Sequence, residues 1–364
     1  MREDQAVVRV VIAAGGTAGH VVPALAVAER LRARGAEVTF VGGERAEAEL
    51  VPAAGYELRP IRVEGLSRTN PLRAARALLR AGAAVGAANR ILAQLRPAAV
   101  LGGGGYVAGP VGLAALAHRI PLVLTEADSH LGITNRLLAP RARRVCLAFP
   151  IEGRDGPRYE VTGRPVPAPV ADVAAARARF GLAPGETCVL VFGGSLGART
   201  INEAAVEAFA AAPFRVLHAA GTRDHAALAP RVDGGHYDLR PYIDDFGEAL
   251  AACDLCVARA GGSIFEIAAA GKPAILIPYP YASADHQTAN ARWMQQAGAA
   301  VVVPDAELTP ARLGNEVGSL LGDPSRLLAM ASASAGLARP DAAQAVADAV
   351  LAAAAPARGG GRRG

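Results

Sequence analysis

The chain has almost no lysine. Lys272 is alone among 364 residues, and the other basic side chains are arginine and a few histidines. With the heavy use of alanine, this skew reads as a coding bias rather than as arginine-driven recognition. Aromatic residues are scarce too, at 4% with a single tryptophan. The core must then be built from Ala, Val, Leu and Ile, which suits parallel strands buried under helices. A strong charge of either sign is also missing. The net charge is +5, and Arg358, Arg362 and Arg363 of the C-terminal tail supply much of it. A body so close to balance lacks the basic face that nucleic acid needs, so no nucleic-acid partner is expected. Cysteine is limited to Cys146, Cys188, Cys253 and Cys256, and no secretion signal opens the chain, so reduced thiols are expected. Cys253-x-x-Cys256 lacks the second pair or His cluster of a metal site and reads as a buried structural element. No uncharged run survives as a membrane helix. The longest, Pro97–Ala117, is interrupted at Gly102 to Gly105, Gly109 and Pro110, so any membrane contact must be peripheral.

A repeated unit of short apolar run, glycine turn and helix-length segment fills the rest. Val7–Ala13 leads through Gly15-Gly16-Thr17-Ala18-Gly19-His20 into a helix over Val22–Arg34. Val38–Val41, Ala98–Leu101, Leu122–Leu124 and Arg144–Leu147 read as further strands of one parallel, doubly wound sheet. Gly163-Arg164-Pro165-Val166-Pro167-Ala168-Pro169 breaks this rhythm, since three prolines in five residues continue neither helix nor central strand. The pattern then restarts with the strand Cys188–Phe192, the turn Gly193-Gly194-Ser195-Leu196-Gly197 and the helix Arg199–Ala211. The expected fold is therefore α/β with two doubly wound domains, at 5–163 and 164–339. A helix near 340–356 is free to return to the first domain, and the Gly/Arg-rich tail at 357–364 is expected to be disordered.

Glycine turns between strand and helix expose backbone N–H groups at the positive helix end, a geometry that holds phosphate. Three such turns occur, at Gly15, Gly102 and Gly193. Other chemistries share the same residues. Gly103-x-Gly105-x-x-Ala108, with Glu126 about 20 residues on, fits a dinucleotide fingerprint. Gly193-x-Ser195-x-Gly197, followed by Asp254 and His286, fits a serine hydrolase elbow but leaves the first domain without a role. Glu126-x-Asp128 could be a metal-binding acid pair. Further on, Asp254–Ala258 is a strand, Arg259-Ala260-Gly261-Gly262-Ser263 a turn, Ile264–Ala270 a helix carrying Glu266, and Ala274–Ile277 the next strand. A carboxylate one turn into a helix can grip a ribose diol, or can simply complement the helix dipole.

These motifs, with Gly104-Gly105-Tyr106-Val107-Ala108-Gly109-Pro110, Tyr242-Ile243-Asp244-Asp245, Gly271-Lys272-Pro273 and Asp285-His286-Gln287, occur in one order. In that order they resemble the peptidoglycan UDP-N-acetylglucosamine–N-acetylmuramyl-(pentapeptide) pyrophosphoryl-undecaprenol N-acetylglucosaminyltransferases. The resemblance runs from about Val7 to Val303, and more loosely to Ala355. It implies a GT-B fold, two Rossmann-like domains facing each other across a cleft. It implies inverting transfer of N-acetylglucosamine from UDP to the muramoyl 4-hydroxyl of lipid I, giving lipid II. Another UDP-sugar-dependent GT-B reaction is the alternative. UDP-N-acetylglucosamine is a substrate in this reading, and neither a cofactor nor an essential metal is implied. The donor would meet Gly194 and Ser195 at its diphosphate, Ile243 at uracil and Glu266 at the ribose. Gly262, Ser263, Ile264 and Gln287 would complete the second-domain site, with Asp128 and Arg164 contributing. Thr17, Ala18 and Gly19 would line the acceptor side and reach the donor. Tyr106, Glu126 and Asn135 would meet the acceptor, and His20 and Glu126 are both candidate bases. The chain departs from the common pattern at Thr125 and Asp128, which replace a His and an Asn, at Leu196, at Pro167, and in a shortened Arg259–Glu266 segment.

A polyprenyl-diphosphate acceptor implies peripheral attachment to the cytoplasmic face of an anionic membrane. The candidate is Leu72–Leu95, a helix-like stretch of about 35 Å. Arg73, Arg76 and Arg80 are spaced to share one of its faces, with Leu72 and Leu79 beside them.

Overall fold

The computed structural model describes residues 7–63, 71–194, 197–232, 234–282 and 285–355, without the side chains of 71–81. The chain divides into two compact units, residues 1–166 with 339–364, and residues 167–338. The tail expected to be disordered lies outside the described residues.

In the first unit the strands are β1 (Arg9–Ala13), β2 (Glu37–Gly42), β3 (Glu57–Pro60), β4 (Ala99–Gly102), β5 (Leu122–Glu126), β6 (Arg144–Leu147) and β7 (Tyr159–Val161). Its helices are α1 (Ala18–Ala33), α2 (Ala46–Ala53), α3 (Pro71–Leu95), α4 (Ala108–Ala117) and α5 (Ile133–Leu138). The sheet order is β3-β2-β1-β4-β5-β6-β7, every pair parallel. Strand β1 shows why: Val10 and Ile12 enter one apolar cluster, Val11 and Ala13 the other, so both faces are buried. Only a sheet with helices on both sides accommodates such a strand.

The second unit holds β8 (Cys188–Phe192), β9 (Arg215–Ala219), β10 (Tyr237–Arg240), β11 (Leu255–Ala258), β12 (Ala274–Leu276) and β13 (Ala300–Val302). Its helices are α6 (Val173–Arg179), α7 (Arg199–Ala208), α8 (His225–Leu228), α9 (Phe246–Ala252), α10 (Ile264–Ala269), α11 (His286–Gln296), α12 (Pro310–Leu321) and α13 (Pro324–Leu337). The order β10-β9-β8-β11-β12-β13 repeats that of the first unit, one strand shorter and again all parallel. Each sheet has a switch point, between β1 and β4 and between β8 and β11. Open α/β sheets bind ligands outside the strand C-termini at such points.

The last helix, α14 (Ala342–Ala354), belongs to the first unit. Its Val346, Ala347 and Val350 are fully buried in the cluster that contains Ile12, Leu31 and Leu101. All four cysteines are reduced and buried, and Cys253 Sγ lies 3.6 Å from Cys256 Sγ. No helix among the described residues is long and apolar enough to cross a membrane.

Candidate functional site

The first unit gathers its chemistry where β1, β4 and β5 end. Helix α1 begins at Ala18 with Thr17 as its cap, four residues before the sequence suggested. A helix starting at Val22 would carry Pro23 in its first turn, where proline is tolerated; instead Pro23 lies inside the helix. Proline has no N–H, so the carbonyl of Gly19, four residues back, has no helical donor. The Arg164 guanidinium donates to that carbonyl instead. A residue of the proline-rich segment is thereby drawn to the first turn of α1.

His20 sits on that turn, half-buried. Its Nδ1 lies 3.3 Å from Thr17 Oγ1, and its ring packs so closely on Gly104 that a Cβ there would come 2.5 Å from Cδ2. Burial pushes the imidazole below its usual 6.5, Arg164 adds to this, and Asp128 and Glu47 oppose it. The ring is therefore held neutral. In the tautomer that donates Nδ1–H to Thr17, Nε2 keeps its lone pair.

Glu126, the other candidate base, ends β5 and is buried. Its Oε1 accepts from the Asp128 amide at 3.2 Å, and its Oε2 from the Gly132 amide at 2.8 Å and from Asn135 Nδ2 at 2.9 Å. Asn135 also donates to the Thr125 carbonyl at 2.9 Å. Both side chains are thus occupied in holding the β5–α5 loop. Asp128, in that loop, is near enough to His20 to act on its charge.

Tyr106 brings in a residue the sequence reading missed. Its hydroxyl donates to Glu47 Oε1 at 2.8 Å. Glu47 lies in the first turn of α2, fully buried, and also accepts from the amides of Gly43 and Gly16, each at 2.8 Å. Burial alone would raise this carboxyl; the bonds from Gly16, its own amide, Tyr106 and Gly43 outweigh that and leave it lowered. Burial and the Glu47 partner push the Tyr106 phenol up to about 12. The usable signal was Gly42-Gly43 ahead of an acidic residue in a helical first turn.

In the second unit, Gly194 takes φ +94° and a Cβ there would meet nothing within 4 Å among the described residues, while the predicted Ser195 lies outside them. Ile243, between β10 and α9, buries its side chain. Among the described residues no hydrogen bond engages its backbone amide or carbonyl. Gly262, Ser263 and Ile264 form the turn into α10, and Glu266 stands half-buried in the first turn of that helix. Arg259 braces the turn from below. It pairs with Asp305 at 2.5 Å and donates to Thr200 Oγ1 at 2.7 Å and to the carbonyls of Ile277 and Pro278. On the other side, Asn290 Nδ2 donates to the Ala260 carbonyl at 2.9 Å, and Gln287 Oε1 accepts from the Tyr279 amide at 3.0 Å.

The predicted membrane residues Arg73, Arg76 and Arg80 lie in α3, but their side chains are outside the described residues. A cavity of about 740 Å³ lies where β5 and β6 begin, lined by Arg119, Arg141, Arg143, Arg144 and Arg158 with alanines of α14. None of the predicted site residues lines it.

Two family descriptions match the chain: the glycosyltransferase family 28 N-terminal domain over residues 10–147, and its C-terminal domain over residues 188–346. The UDP-N-acetylglucosamine–N-acetylmuramyl-(pentapeptide) pyrophosphoryl-undecaprenol N-acetylglucosamine transferase of Nitrosococcus oceani is 44% identical over 352 residues, covering 94% of this chain and 98% of that protein. The protein of the same description from Alkalilimnicola ehrlichii is 45% identical, covering 93% and 97%. The crystal structure of Acinetobacter baumannii MurG superposes with a TM-score of 0.74 at 31% identity, covering 95% of this chain and 99% of that one. A Listeria monocytogenes protein described as a putative UDP-N-acetylglucosamine 2-epimerase shares the fold alone, with a TM-score of 0.71 at 16% identity. The hydrolase and dinucleotide readings of the glycine turns are set aside by these matches. This chain, a glycosyltransferase of the GT-B fold, belongs to family 28 and, within it, to the UDP-N-acetylglucosamine–N-acetylmuramyl-(pentapeptide) pyrophosphoryl-undecaprenol N-acetylglucosamine transferases.

Proposed function

We propose that this enzyme transfers N-acetylglucosamine from UDP-N-acetylglucosamine to the muramoyl 4-hydroxyl of a polyprenyl-diphosphate-linked acceptor, with His20 as the base. The second unit takes the donor. The open backbone of Ile243 reads uracil, Glu266 holds the ribose diol, and the Gly193–Gly197 turn and the start of α10 receive the diphosphate. Gly262, Ser263, Ile264 and Gln287 complete that site. The first unit takes the acceptor, through Thr17, Ala18, Gly19, Tyr106 and the loop held by Glu126 and Asn135. Arg164 and Asp128 flank the reacting groups.

The acceptor oxygen attacks the anomeric carbon as its proton passes to His20 Nε2. The bond to the UDP β-phosphate oxygen breaks, UDP leaves with the electron pair, and the configuration inverts. Backbone donors at helix N-termini stabilise the charge that develops on UDP, each worth about 2.7–4 kcal/mol when well placed.

The observation that carries the choice of base is the contrast between a neutral His20 and a Glu126 whose two oxygens already accept three protein donors. His20→Ala should lower turnover by about 10²–10⁴ while calorimetry shows UDP affinity unchanged. A loss below tenfold would move the role to Glu126.

The acceptor's lipid requires docking on the cytoplasmic leaflet, and α3 with Arg73, Arg76 and Arg80 is the proposed face. Helix α4 packs against both α3 and α5. It exposes Leu113, and α5 exposes Ile133 and Leu137, apolar side chains that would enter the interface.

A further inference from the structure

The two units open with the same glycine turn, yet the turns differ in what their amides meet. In the second unit, no carboxylate among the described residues accepts from Gly193, Gly194 or Gly197; the Gly197 amide closes on the Gly194 carbonyl. In the first unit an internal carboxylate is already there. Glu47 takes the Gly16 amide and the Gly43 amide at 2.8 Å each, and the Tyr106 hydroxyl at 2.8 Å. The surroundings are shaped to it. A Cβ on Gly15 would lie 2.6 Å from Glu47 Oε1, one on Gly42 2.8 Å from Glu47 Cγ, and one on Gly43 2.9 Å from Oε1. The turns after β1 and β4 also meet backbone to backbone, since a Cβ on Gly105 would strike the Gly15 carbonyl. A buried carboxylate with three donors, ringed by glycines, is an ionised group in a fitted seat.

We propose that Glu47 is a positioning residue for the acceptor side: its carboxylate fills the anion seat of the first glycine turn and locks Gly16 and Tyr106 in place. Two consequences follow. The first turn does not use the Gly16 amide to hold a substrate phosphate, so diphosphate recognition there falls to other groups. Tyr106 has its hydroxyl proton committed to Glu47 and the Arg45 guanidinium 5.2 Å from its ring centre, so it has no proton to donate to the acceptor. The role rests on the proposed placement of the acceptor against the first unit.

The test compares wild type with Glu47→Gln and Tyr106→Phe, using UDP-N-acetylglucosamine and a short-chain, water-soluble polyprenyl-diphosphate muramoyl-pentapeptide. Glu47→Gln keeps the volume but turns an NH₂ toward backbone donors. Acceptor kcat/KM should fall about 10–100-fold, the scale of a displacement of about 1 Å at a site, while the UDP Kd stays within twofold. Tyr106→Phe removes one donor and should give a smaller loss. The double variant should be no worse than Glu47→Gln alone, because both changes break one linkage. Amide exchange at Gly16 and Gly43 should accelerate in Glu47→Gln. An acceptor kcat/KM at the wild-type value in folded Glu47→Gln overturns the proposal. So does a UDP affinity that falls as far as acceptor efficiency, or additive losses in the double variant. Should Glu47→Gln not fold, Tyr106→Phe decides: unchanged Gly16 and Gly43 exchange and unchanged acceptor kinetics overturn the linkage. A wild type that binds UDP yet never glycosylates this acceptor would refute the acceptor assignment instead, and the exchange data would still report on the hold of Glu47.

Discussion

At the residue scale, the state of His20 is set from four separate segments: the burial of its own turn, Arg164 from the proline-rich segment, and Asp128 of the β5–α5 loop and Glu47 of α2 opposing. The sign is definite. Lowering the pKa keeps the imidazole deprotonated at neutral pH, so a base at this position loses activity only on acidification past a value below 6.5. The acid limb of kcat/KM should therefore lie below the ordinary histidine value. Arg164→Gln removes a cation that disfavours the imidazolium and should move this limb upward, toward 6.5. A limb that stays put in Arg164→Gln would show that burial alone sets the pKa, or that another group titrates. Arg164 also supplies the donor that Pro23 denies to Gly19, so the substitution should loosen the first turn of α1 as well.

At the element scale, the legible parts were those set by short-range pattern. Strand β8 and the start of α7 fall where the apolar run and glycine turn placed them, and β4, β5 and β11 shift by a residue or two. Helix α1 starts four residues earlier than the local pattern suggests and runs through Pro23, and the compensation for that proline, Arg164, is 141 residues away from it. Glu47 was missed for a related reason: its partners Gly16 and Tyr106 lie 31 and 59 residues off, and nothing local marks a carboxylate as buried. The β9 strand hides another such group. His218 is fully buried, with Nδ1 2.8 Å from Tyr237 Oη and Nε2 3.1 Å from Asn202 Oδ1, and burial drives its pKa down to about 3. The unfolded chain takes up this proton below about pH 6.5, whereas the folded unit refuses it until about pH 3. The residue's contribution is thus present above pH 6.5 and lost on acidification, at about 1.4 kcal/mol per pH unit across that window. Urea unfolding of the second unit at pH 7, 5.5 and 4 should show this slope, and His218→Gln should remove it. Parallel slopes in the two proteins would mean that His218 does not stay neutral in the fold.

At the scale of the whole molecule, the proposed membrane attachment is a property no single element would fix. Each arginine near an anionic surface contributes about 1 kcal/mol, screened by salt. Sedimentation with anionic vesicles should therefore bring down the wild type at low salt and release it as salt rises. Arg73→Glu/Arg76→Glu/Arg80→Glu should stay in the supernatant and transfer slowly to a vesicle-bound acceptor, while transfer to a short-chain soluble acceptor survives. A triple variant that pellets like wild type would exclude α3 and leave the apolar side chains of α4 and α5 as the docking face. The placement of α14 has a consequence of a different kind, in the order of manufacture. The second unit is synthesised entire before residues 339–355 leave the ribosome, yet those residues close the core of the first. At about 5–20 residues per second, the stretch from Pro167 to Val346 takes about 10–40 s to make. Throughout that interval the nascent first unit shows Ile12, Leu31 and Leu101 an unfilled place where Val346 and Val350 will lie. The amino-terminal half of this enzyme is begun first and finished last, and a ribosome stalled inside the second unit would leave it open to chaperones and proteases.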